Sequence, residues 1–112
     1  MDTRTRTRLE GRAKVIKAMA HAARLCIVEA LAEGERCVLE LTERVGSDIS
    51  TVSRHLSVLQ NAGIVDSSRS GAKVIYRLRC PCVLDFFRCV EEVMAVRGKG
   101  GARRAKDGCR CR

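Results

Sequence analysis

Residues 47–59 read SDISTVSRHLSVL, and this stretch decides the fold of the chain. Val52, Leu56 and Leu59 recur at i, i+4 and i+7, which is the spacing of one face of an α-helix. The rest of the surface of the first two turns is polar and consists of Ser50, Thr51, Ser53, Arg54 and His55. The pattern predicts a helix with one buried apolar stripe and one hydrogen-bonding face.

Both ends of this helix are marked in the sequence. Asp48 stands at the N-cap position, where we expect its carboxylate to accept from the backbone N–H groups of Ser50 or Thr51. Asn61 and Gly63 follow the last apolar residue and predict the C-terminal end. Short hydroxyl side chains and an arginine suit the major groove of DNA, because they reach base edges and phosphates without long flexible stems.

The residues before this helix predict three more helices. Apolar residues at helical spacing indicate a first helix over residues 4–20 and a second over RLCIVEALAEG, which Gly34 closes. Residues 35–38 are too few and too β-branched for the start of a helix, so we expect a brief edge strand there. The run LELTERVG predicts a third helix that ends at Gly46, where the turn needs a positive φ. Two helices joined by a short turn form a helix-turn-helix.

A β-hairpin is predicted immediately after Gly63. Ile64–Val65 and residues 74–76 are strand-like, with Arg69 and Lys73 near the tip. The turn between the strands is marked by Ser67, Ser68, Ser70 and Gly71. A hairpin with a basic tip directly after a DNA-reading helix is a wing, which contacts the phosphate backbone or the adjacent minor groove.

A last helix is predicted from about Val83 to Arg97. Its apolar surface is too wide for one side of a monomer of this size, and the first helix also has apolar surface to spare. We therefore expect the first and last helices to pair across a dimer two-fold axis.

Composition and charge favour a cytoplasmic protein that binds double-stranded nucleic acid. The 112 residues suffice for one small core. The sequence contains no run of 18 apolar residues, which a membrane-spanning helix would need, and the N-terminus is too charged for a signal peptide. The net charge is +9, and residues 44–79 hold six Lys/Arg against two acids. Because only 3% of the residues are aromatic, a platform for stacking single-stranded bases is hard to build.

The chain has seven cysteines, an odd number that argues against a structural disulfide framework in the cytoplasm. They are Cys26, Cys37, Cys80, Cys82, Cys89, Cys109 and Cys111. Because the sequence has no CxxC pair and only two histidines, a closed structural zinc site is poorly supported. Thiol chemistry or soft-metal binding is the better interpretation.

Taken in order, these motifs resemble the ArsR/SmtB family of metal-sensing winged-helix repressors over residues 13–97. The motifs are AHAARL before the second helix, ERCVLEL entering the third, TVSRHLSVLQNAGIV and the wing segment GAKVIYRL. The resemblance implies a mainly α fold with a small β-hairpin, a winged helix-turn-helix of order α1-α2-α3-α4-β-β-α5. It further implies a homodimer through the first and last helices that leaves its operator DNA when an effector binds.

This resemblance organises the expected domains and sites. Residues 1–97 are expected to form the DNA-binding and dimerisation domain, and residues 98–112 a basic flexible tail that contains Cys109-Arg110-Cys111. The predicted DNA contacts are Ser50, Thr51, Ser53, Arg54 and His55 in the major groove and Arg69 and Lys73 on phosphates. We expect no enzyme, no membrane contact and no small organic substrate.

The expected inducer is trivalent arsenic or antimony, As(III) or Sb(III), rather than a permanent cofactor. Arsenic-sensing and cadmium-sensing members of the family carry Cys-Val-Cys at the start of the third helix, where this chain has Cys37-Val38-Leu39. In a winged helix the edge strand pairs with the end of the wing, which would bring Cys37 close to Cys80 and Cys82. A pyramid of three thiolates suits such an ion, so these three cysteines are the predicted site.

Three alternatives are left open by the sequence. The tail thiols Cys109 and Cys111 can complete a site with Cys89 or with a thiol of the other subunit. Arg110 and Arg112 favour thiolate formation in the tail, which would also suit an oxidant-sensing or persulfide-sensing repressor of the same fold. A thiol redox enzyme or a metal carrier is favoured by the number of cysteines alone.

Overall fold

The computed structural model describes residues 1–98, which form five helices and one three-stranded antiparallel sheet. The elements are α1 (Thr3–Met19), α2 (Ala22–Glu33), β1 (Arg36–Cys37), α3 (Val38–Val45), α4 (Ile49–Asn61), β2 (Val65–Ser70), β3 (Lys73–Leu78) and α5 (Val83–Gly98). Their order confirms the predicted winged helix-turn-helix. The chain divides into two compact units, with the boundary between Cys80 and Pro81.

The core of the first unit lies between α2, α3, α4 and the sheet. Its largest fully buried side chains are Ile27, Val28, Leu41, Val52, Leu56, Leu59 and Val65. The predicted stripe of α4 is therefore confirmed as the centre of this core. Each such side chain contributes roughly 1.5–3 kcal/mol through removal of apolar surface from water.

The turns on either side of α4 have the backbone geometry that the sequence predicts. Gly46 ends α3 with φ 83°, a left-handed conformation that costs a residue with a Cβ about 1–2 kcal/mol. After α4, the N–H of Gly63 donates to the carbonyl of Gln60 at 3.0 Å, and the N–H of Ile64 donates to the carbonyl of Leu59 at 3.0 Å. These bonds satisfy carbonyls that the end of the helix leaves free.

The sheet has the strand order β1-β3-β2, and its hairpin is longer than predicted. The serines that were expected in the turn lie in β2, and the turn itself is Gly71-Ala72. Gly71 has φ 66°, so one residue suited to the left-handed region is enough to reverse the chain. The short strand β1 joins the free edge of β3, with Arg36 opposite Tyr76 and Cys37 opposite Ile75, which confirms the edge strand.

The second unit contains α5, which confirms the predicted last helix. The N–H groups of Leu84 and Asp85 donate to the carbonyls of Pro81 and Cys82, both at 3.0 Å, and close its first turn. Phe86, Val90, Val93 and Met94 are between 40% and 58% exposed. Cys109 and Cys111 of the predicted tail lie outside the described residues. None of the helices within residues 1–98 is both long and apolar enough to cross a membrane.

Candidate nucleic-acid interface

The exposed face of α4 carries most of the polar residues that were predicted to contact DNA. Ser50, Ser53 and Arg54 are exposed, and Thr51 is half-buried. Ser57, three residues after Arg54, is exposed on the same side of the helix. It is missing from the predicted contacts, although helical spacing alone is sufficient to place it there.

Asp48 caps α4, but its partners differ from those expected. Its carboxylate accepts the hydroxyl hydrogens of Ser50 at 2.7 Å and Thr51 at 2.5 Å. The side-chain hydroxyls, rather than the backbone N–H groups, therefore hold the carboxylate. The bonds from Thr51 and then Ser50 hold the pKa of Asp48 below its ordinary value, so the residue is ionised at neutral pH.

These hydrogen bonds determine which groups on the exposed face of α4 can donate and which can accept. A hydroxyl group has one hydrogen to donate and two lone pairs that accept. Because the hydrogens of Ser50 and Thr51 are donated to Asp48, their oxygens are left as acceptors. In the major groove, acceptors in general pair with the amino groups of adenine and cytosine, whereas an arginine guanidinium pairs with N7 and O6 of guanine.

His55, which was also predicted to contact DNA, does not lie on this exposed face. It is only 9% exposed, because it lies three residues after Val52 and so joins the edge of the buried stripe. Its Nδ1 accepts a hydrogen bond from Nε of Arg24 at 3.1 Å. Its ring also lies against that of His21, with the ring centroids 4.6 Å apart.

Arg24 joins three helices at this point. From α2 it donates through Nε to His55 of α4 and through Nη1 to the carbonyl of Ala18 in α1, at 3.2 Å. Burial lowers the pKa of His55, and the nearby charges of His21, Arg24 and Arg54 lower it further. The ring is therefore neutral at pH 7 and can accept from Arg24. Arg24 is a positioning residue for α4 that the sequence patterns did not reveal.

The hairpin of β2 and β3 is the predicted wing. Arg69 and Lys73 are exposed on either side of the Gly71-Ala72 turn, as expected for contacts to phosphates. Gln60, near the end of α4, donates from Nε2 to Oγ of Ser67 in β2 at 3.0 Å. This bond ties the base of the wing to α4.

Cys37 has a structural position at the junction of β1 and α3. It is buried, and its N–H donates to Oε1 of Glu40 at 2.9 Å, which lowers the pKa of Glu40 below the ordinary value. Across the sheet it lies opposite Ile75. Its side chain is therefore held within the fold rather than presented at a surface.

The expected proximity of Cys37 and Cys80 is wrong, because the strand register separates them. Beyond β3 the chain continues alongside the start of β2, where the thiol of Cys80 donates to the carbonyl of Gly63 at 3.9 Å. Cys80 follows Ile75 by five residues, and the three of them that lie within β3 alone span about 10 Å at the rise of a strand. Because β1 runs antiparallel to β3, Cys37 lies away from the C-terminal end of β3, which leads to Cys80.

The described cysteines differ in how far they are exposed to solvent. Cys80 and Cys82 are exposed, whereas Cys26 and Cys89 are half-buried. The thiol of Cys26 donates to the carbonyl of Arg44 at 3.8 Å. Within residues 1–98 of one chain, no three His, Cys, Asp or Glu side chains are grouped as ligands for a metal ion.

The chain is similar to bacterial transcriptional regulators. Residues 21–67 match the family described as bacterial regulatory protein, arsR family. The chain is 40% identical over 70 residues to the HTH-type transcriptional repressor SmtB of Mycobacterium tuberculosis. The aligned residues cover 62% of this chain and 52% of SmtB. It is 39% identical over 84 residues to the biofilm growth-associated repressor of Xylella fastidiosa, with 69% and 74% of the two chains covered. The match therefore spans about half the length of SmtB.

The fold is also similar to that of a solved structure. The solution structure of a homodimeric winged helix-turn-helix DNA-binding domain from Mycobacterium bovis is 30% identical and superposes with a TM-score of 0.76. The similarity covers 93% of this chain and 96% of that one.

Proposed function

The chain belongs to the ArsR family of bacterial regulatory proteins, and from this premise we propose that it is a homodimeric transcriptional repressor of double-stranded operator DNA. The observation that carries the proposal is the exposed polar face of α4, opposite a fully buried stripe and tied to a basic wing. The relatives from M. tuberculosis and X. fastidiosa are also repressors.

In the proposed complex, the first two turns of α4 lie in the major groove. Arg54 donates to guanine, while the oxygens of Ser50 and Thr51 accept from amino groups of adenine or cytosine. Arg69 and Lys73 of the wing contact phosphates, which adds affinity without adding sequence preference. His55 supports the helix from behind and has no contact with DNA.

Substitution of one base-reading and one phosphate-binding residue tests this proposal. Arg54→Ala should weaken operator binding by about 1–3 kcal/mol and relax base preference at one position. Lys73→Ala should weaken binding to all sequences and reduce the slope of log affinity against log salt by about one. Gel-shift titrations at several salt concentrations measure both effects, and Arg88→Ala, which removes an exposed arginine of α5, is the control. Unchanged operator affinity in Arg54→Ala would disprove the placement of α4.

The exposed apolar residues of α1 and α5 support the proposed homodimer. Val15 and Ile16 of α1 are 37% and 41% exposed, and four large apolar residues of α5 are at least 40% exposed. Apolar surface on this scale marks an association site in a small protein. A dimer with two-fold symmetry also presents two copies of α4 to the two halves of a palindromic operator.

For the inducer we propose As(III) or Sb(III), bound by the thiols predicted from the sequence. Cys80 and Cys82 are free, exposed and separated by Pro81 alone, which supports a two-thiol clamp. Each thiol that binds replaces one hydroxyl group of arsenous acid and releases one water molecule. Cys37, the third predicted ligand, lies opposite Ile75, five residues before Cys80, so we propose its participation only with movement of the third helix or the wing.

Release from DNA requires the ion to bind the free repressor more tightly than the DNA-bound form. A preference of about 100-fold lowers operator affinity by roughly 2.7 kcal/mol per site through linkage. Cys80→Ser and Cys82→Ser should preserve operator binding and abolish release by arsenite. The Cys26→Ser variant should be released from the operator by arsenite as the wild type is. Cys37→Ser separates a two-thiol from a three-thiol site. If instead Cys109→Ser with Cys111→Ser abolishes release, the ligands are in the tail.

A second candidate keeps the repressor and makes the switch a disulfide or persulfide. The observation that favours it is that the thiols of Cys80 and Cys82 are exposed, while Cys37 is held apart from Cys80. In the same gel-shift assay, release by polysulfide but not by arsenite, with a mass increase of one sulfur or loss of two hydrogens, would select this mechanism.

A further inference from the structure

A cavity of about 280 Å³ lies between α1, α2 and the last turn of α4, at the opposite end of α4 from Ser50. Lys14 and Lys17 of α1, Arg24 of α2 and Asn61 of α4 line it, together with the apolar side chains of Ala18 and Val58. Its volume is near the lower end of the range for small-ligand sites. It is therefore large enough for a small ion of several atoms.

The charge of the cavity is unbalanced. Three of its lining residues are cationic and none is acidic. Among the ion pairs of residues 1–98, none involves Lys14, Lys17 or Arg24. The nearest acid on the same helix, Glu10, lines an adjoining groove with both lysines but forms no ion pair with either of them within that range. A half-buried guanidinium without a carboxylate partner leaves a positive potential that an anion would neutralise.

Arg24 is also held in place before any ligand arrives. Its Nε donates to His55 and its Nη1 donates to the carbonyl of Ala18, while Nη2 has no acceptor within residues 1–98. Because two bonds already fix the guanidinium plane, little side-chain entropy remains to be lost on binding. The end of α4 contributes about half a negative charge through the helix dipole, which is much less than three full positive charges.

We propose that this cavity binds a small oxyanion with the size and charge of phosphate. Nη2 of Arg24, the ammonium groups of Lys14 and Lys17 and the amide of Asn61 are its donors. A bound oxyanion would bridge α1, α2 and α4 beside the contact between Arg24 and His55. The site is separate from the proposed DNA-reading face and from the thiols, so it does not depend on the proposed function.

Titration of the full chain with inorganic phosphate tests the site. At constant ionic strength, maintained with chloride, calorimetry should show saturable binding of one phosphate per chain, and sulfate should compete. Lys14→Gln and Lys17→Gln should each weaken phosphate binding about tenfold, since each removes one charge-assisted hydrogen bond. Arg12→Gln, which removes an exposed charge of the same helix outside the cavity, should leave it unchanged.

Two results would overturn the proposal. One is an absence of saturation, or equal affinity in the two cavity variants and Arg12→Gln, with circular dichroism showing that all are folded. The other is a reduction by about one in the salt slope of DNA binding for Lys14→Gln or Lys17→Gln, without saturable binding of free phosphate. That second outcome would assign the lysines to the phosphates of DNA.

Discussion

α4 and α1 both carry apolar residues at helical spacing, yet only α4 buries its stripe against the rest of the described chain. Val52, Leu56 and Leu59 of α4 are 0% exposed, whereas Val15 and Ile16 of α1 are 37% and 41% exposed. Periodicity shows that a helix needs a partner for one face. It does not show whether the same chain or a second copy provides that partner.

The largest expected effect comes from the buried stripe. Leu56→Ala should lower the free energy of unfolding by about 2–5 kcal/mol, because it removes methyl groups from a closed core and leaves a cavity. Ile16→Ala, at a partly exposed position of α1, should cost less than about 1.5 kcal/mol at a protein concentration too low for dimers. Urea unfolding at matched concentrations measures both. Equal losses would show that α1 and α4 are buried to the same degree in solution.

The next effect concerns the partner of α1. Ile16→Glu or Val90→Glu should raise the dimer dissociation constant by about 100-fold or more, because a carboxylate would be buried without a counter-ion. Leu39→Glu is the matched control, since Leu39 is 61% exposed and lies on α3. Sedimentation equilibrium measures the constant. A wild-type monomer at micromolar concentration with full operator affinity would contradict the proposed homodimer.

The smallest expected effect is a pH dependence of the free energy of unfolding, caused by His55 at the contact between α4 and α2. Because the pKa of His55 is below its ordinary value of 6.5, the unfolded chain binds more protons on acidification. The contribution of His55 to the free energy of unfolding is therefore fully present above about pH 6.5, and it is lost as the pH falls towards the pKa that His55 has in the folded protein. His55→Gln should flatten the dependence of the urea midpoint on pH between about 7 and 5.

The carboxylates of Asp48 and Glu33 titrate below the pH range in which the His55 effect on the urea midpoint is measured. The pKa values of Asp48 and Glu33 are lowered from ordinary values of 3.8 and 4.5, so their contribution is lost only at lower pH. For Glu33 the main cause is the hydrogen bond from Arg44, at 2.7 Å. An identical pH profile in wild type and His55→Gln would show that His55 does not titrate in this range.

Most of the fold could be predicted because its signals are local. The stripe of α4, the glycine after α3, the edge strand and the hairpin depend on residues within one or two turns of each other. The hairpin turn was predicted too early because three serines resemble a loop, whereas a two-residue turn with Gly71 lets them pair within β2. Cross-strand pairing rather than local composition decided the length of those strands.

The site was predicted less completely because it depends on distant residues. His55 is polar and lies at the edge of the stripe, so the sequence gives no sign that Arg24, 31 residues earlier, supplies its partner. Gln60 and Arg24 were missed for the same reason, since each acts through a residue of another element. Ser57 differs from them, because helical spacing was enough to find it.

By itself, the sequence determined the order of the helices and strands, the apolar stripe of α4, the basic wing and the number of thiols. These features follow from helical and strand periodicity and from the backbone preferences of glycine. The tertiary structure alone decided that His55 faces inward, that Asp48 binds hydroxyls and that Cys37 pairs with Ile75 far from Cys80. The physical reason is that burial and strand register are set by packing between elements, which a one-dimensional pattern does not contain.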